Sequence, residues 1–204
     1  MRNLFLAATL LLLSAPSALA CKVEANYRVP TNFELVEAAD VIVLARVEEL
    51  KKNDPARLTH VALKPGRTLK GTPPGAAIAV PGTSTGTPEV TPLDKANKSV
   101  GWGSCARSTY TRGTLVIAMF EQAPDGLHPL SFPFARTIED VDSRIGLWVR
   151  AVEVYVKLAQ VPAGQRRAAI EAEVKRLDYD LDDRTASLAI AKDLRAYLKA
   201  VPAK

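Results

Sequence analysis

The sequence is poor in the residue types that most often build catalytic and metal sites. Its 204 residues include two histidines, His60 and His128, and two cysteines, Cys21 and Cys105. The histidines belong to different predicted strands, and there is neither an HExxH motif nor a Cys/His cluster of the kind that holds zinc. A glycine-rich phosphate-binding loop is also missing. We therefore predict a protein that is not an enzyme and uses no metal and no cofactor.

Two partial motifs do not change this prediction. Ser104 lies in a sequence that is similar to the nucleophile elbow of hydrolases but has alanine in place of the final glycine. Asp178, Asp180 and Asp182 have the spacing of a calcium loop, yet Ala189 stands where such a loop requires glutamate. We interpret Ser104 as a loop residue and the aspartates as a solvated link between helices.

A strong charge of one sign is missing as well. The 27 basic and 22 acidic residues give a net charge of +5, and no run of consecutive Lys or Arg exceeds two residues. Proteins that bind nucleic acids concentrate basic residues into patches that neutralise phosphates. We therefore expect no nucleic-acid partner.

A long apolar run occurs only at the start of the chain. Residues 1–20 carry one charge, Arg2, followed by an apolar run over 4–13 and an Ala-x-Ala site that ends at Ala20. These three parts are typical of a secretory signal peptide. The apolar run has about ten residues, whereas a membrane-spanning helix needs about 20. The sequence thus predicts an exported protein, periplasmic or secreted, whose mature chain begins at Cys21; a membrane anchor is the alternative.

Cys21 and Cys105 form an even pair, which in an oxidising compartment is usually a disulfide bond. Closing a loop of about 80 residues would stabilise the fold by roughly 4 kcal/mol. Two alternatives stay open at Cys21. Because it directly follows the cleavage site, it could be lipidated, as in an outer-membrane lipoprotein, although such signals usually carry leucine where Ala18 stands. It could also be a free thiol.

Residues 40–50 (DVIVLARVEEL) have the pattern of a central strand. The first half is an unbroken run of branched apolar side chains, and polar residues appear from Arg46 onward. This pattern predicts a strand that is buried on both faces at its start and emerges into solvent at its end. Further strands are predicted at 58–70 with a bulge at Pro65-Gly66, at 76–80, at 114–120 and at 127–134.

Residues 82–103 form a long segment that is rich in glycine, serine, threonine and proline. Loops of this length in compact domains are usually functional or mobile. Trp102 within the segment and Tyr110 after it could form a partner-binding surface, because small β-barrels often bind ligands through their loops. The alternative, which we favour, is that Trp102 plugs one end of a barrel formed by the predicted strands. The candidate partner-binding residues are Cys21, Trp102 and Tyr110.

Helical signals flank the predicted strands. Thr31 and Glu34 have the spacing of a capping box, which predicts a short helix before the central strand, with Phe33 and Val36 facing the barrel.

At the other end of the chain, apolar residues recur with a helical period over 142–160 and 165–177, and Asp183 can cap a third helix. The predicted fold class is α+β, a small β-barrel of about five strands, which the resemblance described below implies is OB-like, followed by a C-terminal helical segment of two to three helices. The predicted boundaries are 1–20 for the signal peptide, 21–137 for the barrel and 138–204 for the helical segment.

Five short motifs follow one another between Cys21 and residue 134. They are Cys21 itself, the helix-to-strand run 37–47, the Leu69-Lys70-Gly71 turn with Pro74-Gly75, the Ser104-Cys105 pair, and the strand 113–120. Their order resembles the OB-fold module shared by tissue inhibitors of metalloproteinases and netrin carboxy-terminal domains, in its trimmed bacterial form. The chain departs from the inhibitors because Val23 stands where they have the second cysteine of a Cys-x-Cys pair. The helical segment lies outside the resemblance.

The resemblance implies a specific chemistry for Cys21. In the inhibitors, the free amine and the carbonyl of the first cysteine chelate the zinc ion of the protease, and catalytic zinc sites keep an open position for such a ligand. Cleavage before Cys21 would produce the same chelating group, and a bridge to Cys105 would hold it against the barrel.

The sequence therefore favours an exported, non-catalytic module that binds a protein partner or has a structural role. One alternative is a metalloprotease inhibitor that acts through Cys21 on an extracytoplasmic protease. A second alternative is a hydrolase without a recognisable motif. A patch of exposed apolar side chains would indicate partner binding, whereas a pocket with converging polar groups would indicate an enzyme. Contact with a membrane is expected only if Cys21 is lipidated.

Overall fold

The computed structural model describes residues 23–72, 74–101 and 104–201. The predicted signal peptide, Cys21 and Trp102 lie outside the described residues. Within these ranges the elements are, in chain order, α1 (Asn32–Ala38), β1 (Val41–Glu48), a short 3-10 helix (Pro55–Leu58), β2 (His60–Lys70), β3 (Ile78–Pro81), β4 (Leu115–Ala123), β5 (Gly126–Pro129), β6 (Ile138–Val141), α2 (Leu147–Ala159), α3 (Ala163–Asp178) and α4 (Arg184–Ala200).

Strand β1 is the centre of the sheet, as the sequence predicts. It pairs antiparallel with β2 on one side and with β4 on the other. The strand is buried from Val41 to Ala45, and Arg46 is exposed. The register with β2 shifts where Ala45 pairs with Pro65, which confirms the predicted bulge.

The sheet curves into a nearly closed, barrel-like arrangement. Its strand order is β3-β2-β1-β4-β5, and β6 also pairs with β4. The helices lie mostly after the strands in the chain. This architecture confirms the predicted fold class, a small OB-like α+β barrel with a C-terminal helical segment.

Strand β6 extends the sheet beyond the predicted end of the barrel at residue 137. All four of its residues are buried, so the segment lacks the alternation of polar and apolar residues that marks a half-exposed strand. The helix expected from residue 142 begins only at Leu147.

The start of β2 is a second correction. Leu58 was predicted to open this strand, but it ends the 3-10 helix and its side chain is 79% exposed. Asp54 caps the helix because its carboxylate accepts a hydrogen bond from the Ala56 N–H at 2.8 Å. The turn predicted around Pro55 therefore continues into a helical turn, and the strand starts at His60.

The predicted helix caps are confirmed. In α1, the Glu34 N–H donates to Thr31 Oγ1 at 3.3 Å, and the Thr31 N–H donates to Glu34 Oε2 at 2.8 Å. In α4, the Ala186 N–H donates to Asp183 Oδ1 at 3.3 Å.

Alternating residues of β1 contribute to two apolar cores. Ile42 and Leu44 face α1 and the C-terminal helices, whereas Val41, Val43 and Ala45 face the barrel interior. This division explains why the strand is apolar without alternation. Across the described ranges, no helix is both long and apolar enough to cross a membrane.

Candidate functional site

A cleft of about 370 Å³ lies between residues 92–95 and the helices α2 and α4. We call it the helix cleft. Its walls are largely apolar, and they are formed by Pro92, Leu93, Leu147, Ala189 and Ala196. Ligand sites are typically apolar concavities of at least this order of size with a few fixed polar groups.

Asp193 supplies a fixed polar group in this cleft. It lies four residues after Ala189 and three before Ala196, so the three residues share one face of α4. Asp193 Oδ2 accepts a hydrogen bond from the Tyr155 hydroxyl at 2.6 Å, and Oδ1 accepts one from Asn32 Nδ2 at 3.0 Å. The carboxylate is therefore held by residues of α1 and α2.

Both hydrogen-bond donors to Asp193 are themselves fixed in the core. Tyr155 and Asn32 are fully buried. Asn32 Nδ2 also donates to the Leu93 carbonyl oxygen at 2.8 Å, and Asn32 Oδ1 accepts from Arg136 Nε at 2.7 Å. A buried polar network that is satisfied in this way rigidifies its members.

The environment of Asp193 disfavours its negative charge. Burial raises the pKa of the Asp193 carboxyl, and the hydrogen bond from Tyr155 opposes this rise. Burial also raises the pKa of the Tyr155 hydroxyl, so Tyr155 acts as a donor to the carboxylate. No salt bridge involves Asp193 among the described residues.

The rim of the cleft is closed by an exposed ion pair. Lys192 Nζ lies 3.0 Å from Asp94 Oδ2, and this contact holds the pKa of the Asp94 carboxyl below its ordinary value. The ammonium group of Lys192 therefore lies at the rim, although Lys192 directly precedes Asp193 in the sequence.

Four large apolar side chains in the segments next to the helix cleft are between 39% and 83% exposed, namely Ile145, Tyr179, Leu181 and Leu188. We call them the helix-end patch. Ile145 precedes Leu147 by two residues and Leu188 precedes Ala189, so the patch adjoins two residues of the cleft wall.

Ion pairs and hydrogen bonds bring the segments of the helix-end patch together. The start of α2 meets the link between α3 and α4, because Arg150 forms ion pairs with Asp180 and Asp183. The Ser187 hydroxyl donates to Asp180 Oδ2 at 2.8 Å, which ties the link between α3 and α4 to the first turn of α4.

A second buried polar cluster lies at β6. Glu139 Oε2 accepts from the Thr91 hydroxyl at 2.9 Å, and Oε1 accepts from the Asn97 N–H at 3.2 Å. Burial raises the pKa of the Glu139 carboxyl to about 7, although these bonds and the charge of Arg107 act in the opposite direction. The cluster fastens part of the long 82–103 segment to the sheet.

Of the three predicted partner-binding residues, Tyr110 lies in the part of the chain that the structure describes. Tyr110 is 1% exposed and packs in the barrel core, with the Arg107 guanidinium 4.7 Å from its ring centroid. The ring therefore contributes to the barrel core, and a role of Tyr110 in partner binding stays a prediction. Cys21 and Trp102 lie outside the described residues.

Cys105 lies beside the start of the described chain. The Tyr27 hydroxyl donates to the Pro133 carbonyl oxygen at 2.8 Å, and the Phe134 N–H donates to the Cys105 carbonyl oxygen at 2.7 Å. No free cysteine is found within the described ranges. The pairing of Cys105 with Cys21 stays a prediction.

The two histidines do not share a site. His60 lies in β2, where its Nδ1 is 3.0 Å from the Thr59 hydroxyl, and His128 lies in β5, where its Nε2 is 2.8 Å from Asp125 Oδ1. In the part of the chain that the structure describes, no group of three histidine, cysteine or acidic side chains could hold a metal ion.

The helix cleft was not found from the sequence. Its polar residues come from distant positions, because Asn32 and Tyr155 are separated from Asp193 by 161 and 38 residues. One local signal was present: Asp193 interrupts the face of α4 that also carries Ala189 and Ala196. Comparison of the chain with family models, curated proteins and solved structures finds no match.

Proposed function

We propose that the protein is an exported, non-catalytic module that binds a protein partner through the helix-end patch. The observation that carries this proposal is the placement of four exposed large apolar side chains at one end of the helical segment. Monomeric proteins rarely expose contiguous apolar surface without a role in interaction. Aromatic residues such as Tyr179 are also enriched at the centres of protein interfaces.

The charged residues beside the patch support a binding role. Arg150 forms ion pairs with both Asp180 and Asp183, which lie in the link that carries Tyr179 and Leu181. An apolar centre with a polar rim is the usual anatomy of an interface.

The described residues that line the helix cleft include no histidine, serine or cysteine, which favours binding over nucleophilic catalysis.

Site-specific crosslinking in the producing cells tests this proposal. A photo-crosslinking amino acid would replace Tyr179 or Leu181 in the full-length protein. The matched control is the same replacement at Leu58, which is equally exposed but lies in the connection between β1 and β2. We expect one discrete adduct from both patch positions and none from Leu58.

A further substitution in the helix-end patch tests whether its apolar side chains make the contact with the partner. Leu188→Asp should abolish the adduct from position 179, because a charge in an apolar contact is costly to desolvate. Adducts of equal intensity from all three positions, or none from the patch, would refute a specific surface here. Cell fractionation of the same samples tests export, and retention of the protein in the cytoplasm would contradict that part of the proposal.

The second candidate is inhibition of a zinc metalloprotease through the amine and carbonyl of Cys21. It is favoured by the contacts that bring residues near Tyr27 and Cys105 to the same segment, 133–134. Mature protein with its authentic amino terminus should inhibit secreted zinc proteases, and acetylation of its terminal amine should remove the inhibition. Full protease activity at high micromolar concentrations of the mature protein would exclude this candidate.

A further inference from the structure

We propose that the helix cleft is a binding site for a small primary alkylamine, with the ammonium group on Asp193 and the alkyl chain along the apolar walls. This site goes beyond the proposed protein-binding function and is independent of the helix-end patch. The proposal rests on the acceptor capacity of Asp193, on its charge and on the composition of the cleft.

Asp193 has hydrogen-bonding capacity that the protein does not use. An ionised carboxylate offers about four acceptor positions on its two oxygens. Tyr155 and Asn32 each use one of them. The side chain nevertheless lines the cleft, so a bound donor can use the acceptor positions that the protein leaves.

The charge of Asp193 also favours a cationic ligand. Asp193 forms no ion pair among the described residues, because Arg136 donates to the amide oxygen of Asn32 and Lys192 pairs with Asp94. The charge of Arg136 lowers the pKa of the Asp193 carboxyl without direct contact. A largely buried carboxylate without a cation in direct contact is costly, and an ammonium group in the cleft would supply that contact.

The lining of the cleft restricts the shape and polarity of the ligand. The walls at Leu93, Leu147 and Ala189 offer apolar surface and accept an alkyl chain. Lys95 and Lys192 also line the cleft, and Lys192 is paired with Asp94 at the rim. A carboxylate or a phosphate placed against Asp193 would meet a like charge. A primary ammonium group is a compact donor that can approach one carboxylate oxygen, so an alkylamine matches both parts of the cleft.

Three helices hold the carboxylate in position in the cleft. Tyr155 lies on α2, Asn32 begins α1, and Asp193 lies on α4. Three elements therefore fix one side chain, which is the preorganisation that a binding site requires.

Nuclear magnetic resonance titrations test this proposal on the mature protein labelled at alanine methyl groups. The probes are n-hexylamine, n-hexanol and hexanoate at pH 7.5, where the amine is protonated. We expect the amine to shift the methyl signals of Ala189 and Ala196 and to bind about tenfold more tightly than the alcohol. Hexanoate should leave both signals unchanged.

Three variants separate the contributions to binding. Asp193→Asn should reduce the affinity for the amine about tenfold, to that of the alcohol. Ala196→Trp places a large side chain at an exposed cleft position and should abolish the binding of both probes without disturbing the core. Asp182→Asn removes the same charge outside the cleft and should change the affinity for the amine by less than twofold.

Several outcomes would overturn the proposal. Equal affinities for the amine and the alcohol would show that Asp193 does not recognise the ammonium group. Unchanged methyl signals at 10 mM amine would show that the cleft does not bind it. If Asp193→Asn fails to fold, persistence of amine binding in the Ala196→Trp variant would still refute the assigned site.

Discussion

Arg107 Nη2 donates a hydrogen bond to Asp140 Oδ1 at 2.8 Å, and both side chains are almost completely buried. Arg107 Nε also donates to the Thr109 carbonyl oxygen at 2.9 Å, and the Glu89 N–H donates to Asp140 Oδ2 at 2.8 Å. Asp140 thus joins β6 to Glu89 within the long 82–103 segment and to Arg107 after it. Order in that segment depends on buried charge as well as on apolar packing.

Removal of one member of this pair should strongly destabilise the protein. Asp140→Asn leaves the Arg107 guanidinium buried without its counter-charge, and we expect a loss of about 3–5 kcal/mol in the free energy of unfolding. Urea denaturation of the variant and the parent measures this difference. The control is Glu48→Gln, which breaks the exposed pair with Lys64 and should cost less than about 1 kcal/mol. Similar losses in both variants would contradict a special role for the buried pair.

Glu139 should make stability depend on pH. Its pKa is about 7 in the folded protein against an ordinary value of 4.5, so the folded state binds a proton more tightly than the unfolded state. The stabilisation is complete below pH 4.5 and is lost as the pH rises through about 7, by about 3 kcal/mol in total. Denaturation curves at pH 4.5 and 7.5 measure this loss.

Glu139→Gln is the matched variant for this pH dependence. It keeps the size of the side chain and removes the titration, so its stability should fall less between pH 4.5 and 7.5 than that of the parent. Glu34 has a pKa of about 2 in the folded protein, and its contribution changes below pH 4.5 and therefore outside this window. Identical pH profiles for the variant and the parent would show that Glu139 does not titrate as inferred.

The predicted bridge between Cys21 and Cys105 can be tested by mass. Exported protein that begins at Cys21 should gain about two hydrogens on reduction, and reduction should lower the free energy of unfolding by roughly 4 kcal/mol. Cys105→Ser should be as unstable as the reduced parent and should show no further response to reductant. An added diacylglyceryl mass would instead identify Cys21 as lipidated.

Local patterns in the sequence predicted those elements whose cause is local. The capping box of Thr31 and Glu34 requires only four consecutive residues, and the branched run at Val41 is buried because it packs on both faces of the sheet. Strand β6 was missed because four buried residues carry no period. The burial of Tyr110 was also missed, since exposure depends on how distant segments pack.

The helix cleft could not be predicted from the sequence for the same reason. Asp193 was visible in the sequence as a polar residue on the face of α4 that carries two cleft alanines, but its role depends on Tyr155 and Asn32. No spacing rule relates residues that are 161 positions apart. The site therefore depends on tertiary contacts, whereas the helix that carries Asp193 could be predicted from the sequence.

Tyr155 should control the charge state of Asp193. Tyr155→Phe keeps the buried ring and removes the hydroxyl that donates to Asp193 Oδ2 at 2.6 Å. This hydrogen bond holds the pKa of the Asp193 carboxyl down against the effect of burial, so its loss should raise that pKa further. Carbon-13 NMR titration of the Asp193 carboxyl measures the change directly.

The same substitution has a consequence for stability with a defined sign. A carboxyl whose folded-state pKa is raised contributes stability that is lost as the pH rises through that pKa, so Tyr155→Phe should make the loss on raising the pH larger than in the parent. Tyr197→Phe is the matched control, because it removes a hydroxyl from another tyrosine that packs on Phe33 and makes no hydrogen bond to Asp193 within the described residues. An unchanged pKa of Asp193 in the Tyr155→Phe variant would mean that the Tyr155 hydroxyl positions the Asp193 side chain without stabilising its charge. In that case the substitution should not affect the binding of the amine to the cleft.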